Sequence, residues 1–76
     1  MQWQDRITVD PSVQVGKPVV KGTRITVEFV IERLACGWTS QQVVNEYKEL
    51  SPEDVRACLA YASEVLKGEK VYVTPA

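Results

Sequence analysis

The sequence predicts a mainly α protein: a bundle of three helices preceded by a short arm of strands and turns. Three observations lead to this prediction. Apolar residues recur at helical spacing in three stretches of residues 26–68, period-two alternation is confined to residues 1–25, and serine, threonine and glycine separate the stretches. In a chain of 76 residues these elements form a single domain, and residues 69–76 are predicted to be a C-terminal strand or tail.

The arm is predicted to contain short strands. Residues 3–9 alternate with a period near two, and residues 10–12 (Asp-Pro-Ser) end this strand. Residues 13–15 and 18–20 are predicted to form two further strands around a tight turn. Strands this short do not make an independent sheet. We therefore expect them either to lie on the helices or to pair with the same segment of another chain, which would hide their edges.

The most distinctive stretch of the chain is residues 16–27, which read GKPVVKGTRITV. Gly16 and Gly22 allow positive φ, and Pro18 fixes its own φ, so this is a shaped loop and not a flexible linker. A nucleotide-binding phosphate loop is excluded, because that motif places lysine and serine or threonine directly after its second glycine. Here Thr23 and an arginine follow Gly22 instead.

Three cations of this stretch, Lys17, Lys21 and Arg24, are candidate phosphate contacts. Residues 1–24 carry four cations against two acids, whereas the rest of the chain carries five against eight, so phosphate binding would be expected in the arm. The net charge of −1 argues against strong nucleic-acid binding. The alternative is a structural loop in which Arg24 forms an ion pair with Glu28, four residues further on.

The first helix is predicted to run from residue 27 to residue 36. Thr26 is its expected N-cap, Gly37 its left-handed C-cap, and Trp38 should pack back on the helix that it follows. The expected buried stripe is Val27, Val30, Ile31 and Leu34, and the expected outward face is Glu28, Glu32 and Arg33.

The second and third helices are marked by their caps. Thr39 and Gln42 form the capping-box pattern at the start of a short helix whose buried side is Val43, Val44 and Tyr47. Ser51 and Pro52 are typical of the N-cap and first position of the third helix, which should extend to about residue 67. Its apolar residues at helical spacing are Val55, Leu59, Ala62 and Leu66.

Three amphipathic helices with a short middle one fit a helix-turn-helix arrangement, although other three-helix bundles fit equally. The third helix is a poor recognition helix. Among its first residues only Arg56 favours guanine or phosphate, and the carboxylates of Glu53 and Asp54 would repel the DNA backbone. DNA binding would therefore depend on the arm and on a dimer that supplies phosphate contacts.

The motif at residues 16–27, which includes Gly16, Pro18, Gly22 and Thr23, resembles the hallmark of a small prokaryotic family, domain of unknown function 433. Residues 37–39, 43–47 and 50–61 agree with the same family, and the similarity covers about residues 5–67. The resemblance implies a three-helix, homeodomain-like DNA-binding bundle with a strand-rich N-terminus. It also implies an antitoxin, often encoded beside a PIN-like nuclease toxin.

The composition excludes several classes of protein. The sequence contains no histidine and only two separated cysteines, so we expect no metal site and no cofactor. No nucleophile has a neighbouring base, so we expect no enzymatic activity.

Cys36 and Cys58 lie near apolar stripes and are predicted to be reduced core thiols, with a disulfide as the minor alternative. No stretch has the apolar length of a membrane span or signal peptide, which predicts a cytoplasmic protein.

The small core of a chain this short favours self-association, so a homodimer is predicted. Two hypotheses for the function remain. One is an antitoxin-like regulator that neutralises a PIN-like toxin and binds its own operator DNA as a dimer. The other is a protein-interaction module that does not bind DNA. The charge balance favours this second hypothesis, whereas the family resemblance favours a combination of both.

Overall fold

A two-stranded hairpin packs on three helices in the computed structural model of the protein, which describes residues 2–68. The predicted C-terminal strand or tail, residues 69–76, lies outside the described residues. The elements are β1 (Ile7–Val9), β2 (Pro18–Val20), α1 (Val27–Ala35), α2 (Ser40–Glu46) and α3 (Pro52–Gly68), with a single 3₁₀ turn at Trp3–Asp5 and a left-handed turn at Gln14–Gly16. The predicted mainly α fold of three helices with a strand-bearing arm is confirmed.

The two strands of the arm pair with each other in antiparallel register. Ile7 lies opposite Val20, and Val9 lies opposite Pro18. Ile7 and Val20 are buried in the same apolar cluster as the helices. Of the two arrangements expected for the strands, the structure therefore has the one in which they lie on the helices.

Two parts of the predicted arm are wrong. Residues 13–15 do not form a strand: Gln14 and Val15 have φ of +50° and +56°, and Gly16 has φ of +79°. This run of left-handed residues reverses the chain between β1 and β2, which an extended segment could not do. The predicted strand at residues 3–9 is likewise shorter, because Trp3–Asp5 forms a 3₁₀ turn.

The helix starts are fixed by the caps that the sequence predicted. Thr26 Oγ1 accepts a hydrogen bond from Phe29 N at 3.0 Å. Thr39 and Gln42 form the complete capping box, with distances of 2.7 and 3.1 Å. These bonds satisfy backbone donors that have no partner within the first turn of a helix, so they begin each helix where the sequence places the capping residue.

The end of α1 also follows the prediction closely. The helix ends at Ala35, one residue earlier than expected, and Gly37 adopts φ of +99°. The backbone N–H of Trp38 then donates to the Arg33 carbonyl at 3.1 Å, and the Trp38 ring packs back on the helix beside the Arg33 side chain. The left-handed glycine produces this reversal, because residues with a Cβ rarely adopt that conformation.

The core draws on the hairpin and on all three helices, so the arm is an integral part of the fold. Its buried members are Ile7, Val20, Val27, Val30, Val43, Leu50, Val55, Ala57 and Cys58. The predicted stripe of α3 is buried only in part, because Leu59 and Leu66 are 45% and 65% exposed. With 17 residues, α3 is far longer than α1 or α2, so its last turns extend beyond their cover.

The two cysteines differ in their surroundings. Cys58 is buried as predicted, whereas Cys36 is exposed, because it follows the last residue of α1 and no longer lies on the buried side of that helix. Both thiols are unpaired. Within residues 2–68, no helix combines the length and the apolar content that a membrane crossing requires.

Candidate nucleic-acid interface

The loop between β2 and α1, residues 21–24, is a tight and internally bonded turn. The carbonyl of Val20 accepts hydrogen bonds from both Thr23 N, at 3.0 Å, and Thr23 Oγ1, at 2.9 Å. The same hydroxyl accepts from Ile25 N at 3.0 Å, and Gly22 has the positive φ of +79° that the motif predicted. The threonine and the glycine therefore give this loop one defined shape.

Two of the four predicted contact residues lie on this loop. Lys21 and Arg24 are exposed, and within residues 2–68 neither side chain forms an ion pair or hydrogen bond. Their backbone groups are held in place: Lys21 N donates to the Arg6 carbonyl at 2.8 Å, and the Arg24 carbonyl accepts from Gln14 Nε2 at 3.2 Å. The turn thus presents two cationic side chains to solvent from a fixed backbone.

The third cation, Lys17, lies away from this turn, at the opposite end of β2. Its Nζ lies 3.0 Å from Glu28 Oε1, in a pair whose side chains are 58% and 59% exposed. The predicted pairing of Arg24 with Glu28 is therefore wrong. The chain reverses at residues 21–24 and runs back beside β2, where Thr26 pairs with Val19. This brings Glu28 next to Lys17 and leaves Arg24 near the tip of the turn.

The fourth cation, Arg56, is exposed on the second turn of α3, separate from the loop. The first turn of that helix holds an ion pair that the sequence did not indicate: Arg6 Nη1 lies 3.0 Å from Asp54 Oδ1. The other carboxylate oxygen of Asp54 accepts from Ser51 N at 2.9 Å. Asp54 therefore both caps α3 and compensates a cation of the arm.

This ion pair changes the electrostatic balance at the start of α3. The sequence placed two carboxylates there, and both would repel a phosphate backbone. The charge of Asp54 is matched by Arg6, and its side chain is only 13% exposed. Glu53 remains exposed. No sequence signal indicated Arg6, because 48 residues separate it from its partner and the capping pattern alone accounted for Asp54.

An aromatic cluster around Arg33 is a second feature that the sequence did not indicate. The guanidinium carbon lies 5.0 Å from the centroid of the Phe29 ring and 5.5 Å from that of Trp38, within the range of cation–π attraction. Tyr47 packs edge-on against Phe29 at 5.1 Å. The predicted outward orientation of Arg33 is therefore wrong, because the reversal at Gly37 returns the indole over the last turn of α1.

A shallow pocket of about 330 Å³ connects this cluster with the loop. Its lining is Gln14, Arg24, Ile25, Thr26, Phe29 and Tyr47. The surface thus combines a cation from the loop with the edges of aromatic rings. Among residues 2–68, no three side chains of the histidine, cysteine, aspartate or glutamate type lie close enough together to hold a metal ion.

The family model described as "Protein of unknown function (DUF433)" matches residues 7–62, which span the hairpin and most of the helical bundle. The chain belongs to the DUF433 family. The four candidate cations all lie within the matched region. A search among curated proteins gave no significant match.

The fold of this DUF433 protein is similar to the crystal structure of a DUF433 member protein from Anabaena variabilis ATCC 29413. The two have a TM-score of 0.79 and 25% sequence identity, over 84% of this chain and 63% of the other. The chain thus spans less than two thirds of the length of that relative.

Proposed function

We propose that this DUF433 protein is an antitoxin-like DNA-binding regulator of the cytoplasm. It binds its own operator as a dimer, neutralises a PIN-like nuclease toxin, and has neither enzymatic activity nor a cofactor. The observation that carries the DNA-binding proposal is the pair of exposed cations, Lys21 and Arg24, on a turn of fixed shape. The antitoxin role and the toxin rest on the resemblance of residues 16–27 to the family hallmark.

Cations on a rigid turn suit the backbone of DNA better than cations on a mobile tail, because phosphate contacts fix the register of a protein on the duplex. Arg56 on α3 supplies a further exposed cation. The Arg6–Asp54 pair, with an N–O distance of 3.0 Å, compensates one of the two acids that would oppose the approach of α3. In this proposal α2 and α3 form the helix-turn-helix, and the loop contacts the flanking backbone.

The dimer is supported by apolar side chains that the described fold leaves uncovered. Leu59 is 45% exposed and Leu66 is 65% exposed on the same helix. The strands no longer support it, because β1 and β2 pair within the chain. A dimer would double the number of phosphate contacts and so supply affinity that a chain of net charge −1 lacks by itself.

The alternative function, a protein-interaction module that does not bind DNA, is supported by the same exposed face of α3. In that case Lys21 and Arg24 would contact acidic groups of a partner protein. Binding of upstream DNA separates the two functions, since the module would show no sequence preference and no affinity at physiological salt.

The decisive experiment is a mobility-shift assay on the DNA upstream of the gene, repeated over a range of salt concentrations. Lys21→Ala and Arg24→Ala are each expected to reduce the salt slope by about one unit, because each removes one phosphate contact. Lys17→Ala serves as the matched arm variant. Since Lys17 is paired with Glu28, its loss should reduce the slope less.

Arg24→Lys tests the type of contact that Arg24 makes. A phosphate contact tolerates lysine, whereas a two-pronged pair with an acid of a second subunit does not. We expect the lysine variant to bind DNA like the parent. Unchanged DNA affinity in both alanine variants would refute the proposed contacts. Failure to co-purify with the product of a neighbouring PIN-like reading frame would refute the antitoxin role.

A further inference from the structure

The turn between β1 and β2 contains a residue whose conformation and exposure are both unfavourable. Val15 has φ of +56°, in the left-handed region, and the residue is 94% exposed. Steric contacts disfavour this region for a branched side chain, and an exposed valine gains nothing from burial. Within residues 2–68, no packing therefore offsets the cost of placing a valine here.

Hydrogen bonds around Val15 hold it in this conformation. Gly16 N donates to the Val13 carbonyl at 3.2 Å, which closes the turn. The side chain of Gln14 reaches the next loop, since its Nε2 donates to the Arg24 carbonyl at 3.2 Å. Backbone strain that the surrounding structure maintains in this way is concentrated at functional sites. The position of Val15 therefore indicates a contact made with a partner.

We propose that Val15 contacts a thymine methyl group of the operator DNA and contributes to its sequence specificity. This inference rests on the proposed binding of operator DNA by the loop of residues 21–24. The bond between Gln14 and Arg24 makes the turn and that loop direct neighbours. When Arg24 contacts a phosphate, the side chain of Val15 is therefore held beside the adjacent base pairs.

The chemistry of the side chain favours a base over the DNA backbone. Valine has two methyl groups and no hydrogen-bonding atom, so it cannot bind a phosphate. The apolar group that base pairs present in the major groove is the C5-methyl of thymine. Phosphate contacts from Lys21 and Arg24 carry no sequence information by themselves. An apolar contact beside them therefore supplies a preference that these two cations lack.

A pocket on a protein is a less favourable partner for Val15. The nearest exposed residues on either side of it in the chain, Gln14 and Lys17, are polar. Valine is also under-represented among the residues that dominate protein interfaces, which are mostly Trp, Tyr and Arg. Residues 1–24 carry four cations against two acids, so this part of the chain favours an anionic partner.

The test measures affinities for the DNA upstream of the gene, in which each thymine in turn is replaced by uracil. This replacement removes the methyl group and leaves the base pairing unchanged. At the contacted thymine, uracil should weaken binding of the parent about fourfold, as expected for one buried methyl group. Val15→Gly should weaken binding to the thymine DNA by at least the same factor. In this variant uracil should have no further effect, because both changes remove one contact.

Urea denaturation of the variants gives a readout that a structural role for Val15 would not give. Val15→Gly should lower the equilibrium constant of unfolding about fivefold, because glycine adopts positive φ without strain and no buried contact is lost. Val15→Asn also tolerates the left-handed region and keeps a side chain of similar size. It should lose the uracil effect as well, which separates loss of the methyl groups from the flexibility of glycine.

Val9→Ala is the matched control, since Val9 is a second exposed valine of the arm, at 55% exposure, but lies on β1. It should retain the uracil effect in full. A uracil effect of parental size in Val15→Gly, or none in the parent, would overturn the contact while leaving operator binding intact. A parent that does not bind the upstream DNA would overturn the proposed function and this inference with it.

Two further outcomes also decide against the contact. Loss of stability in Val15→Gly would show that the valine contributes to the fold and is not strained. A Val15→Gly protein that binds DNA like the parent but no longer co-purifies with the neighbouring PIN-like product would assign the side chain to a protein partner.

Discussion

The two halves of α3 have the same helical spacing of apolar residues but different surroundings. In residues 52–58, Val55 is 1% exposed and Cys58 is fully buried. In residues 59–68, Val65 is 40% exposed and Leu66 is 65% exposed. Apolar spacing therefore indicates which face of a helix is able to pack, and the length of the neighbouring elements decides whether it does.

The two halves also differ in the polar contacts that connect them to the rest of the protein, which are partly buried in the first half and exposed in the second. The first half is held by the Ser51–Asp54 capping bonds and by the Arg6–Asp54 pair at 3.0 Å. The second half is held on one side by Trp3, whose ring packs edge-on against Tyr61 at 4.9 Å and whose Nε1 donates to Glu64 at 2.7 Å. The hydrogen bond between Trp3 and Glu64 is exposed to solvent, where a hydrogen bond contributes least to stability.

The largest difference between the halves should appear on truncating one valine in each. Val55→Ala should lower the free energy of unfolding by about 2 kcal/mol, because it removes buried methyl groups and leaves a cavity. Val65→Ala should lower it by less than about 1 kcal/mol, since that side chain is partly exposed and alanine favours the helix. Urea denaturation of both variants measures this, and equal losses would show that the two halves are equally packed.

Alkaline pH should destabilise the protein through Cys58, in the first half of α3. Burial, and secondarily the charge of Asp54, raises the pKa of the Cys58 thiol from 9.0 to about 12. Between these two values the thiol ionises in the unfolded chain but stays protonated in the folded one. Stability is therefore complete below pH 9 and falls as the pH rises, by about 1–2 kcal/mol at pH 10. Urea denaturation at several pH values should show this slope in the parent, and Cys58→Ala should remove most of it.

The two acids that connect α3 to the arm offer a smaller contrast. Asp54→Ala should cost about 1–2 kcal/mol, because it removes a helix cap together with the partner of Arg6. Glu64→Ala should change the stability by no more than about 0.5 kcal/mol, as its bond to Trp3 is exposed. Thermal denaturation compares the two, and a larger loss for Glu64→Ala would reverse the ranking of the halves.

The last contrast concerns Leu59, at the start of the second half, where a small effect on stability should accompany an effect on association. Leu59→Ser should change the free energy of unfolding by less than about 1 kcal/mol, because the side chain is 45% exposed. If this face supports the proposed dimer, the same change should shift sedimentation at tens of micromolar toward the monomer, a dependence that mass action requires. A parent protein that sediments as a monomer at that concentration would refute the dimer.

At the candidate interface, the sequence predicted the conformation of the loop but not the ion pairs of its cations. The residues of the loop motif could be predicted, since Gly22 and Thr23 act on the backbone within three residues of themselves. The partners of the cations could not. Lys17 pairs with Glu28 and Arg6 with Asp54, over 11 and 48 residues. Only the reversal of the chain and the packing of the arm on α3 bring these charges together.

The sequence by itself determined the helix starts and the turns at Gly22 and Gly37. Thr26, Thr39 and Ser51 each bond to a backbone amide three residues further on, so the signal and its effect lie in one turn of chain. Tertiary structure alone decided that β1 pairs with β2, that residues 13–15 turn, and that Leu59 stays exposed. These outcomes depend on contacts between segments distant in sequence, whose geometry local propensity does not specify.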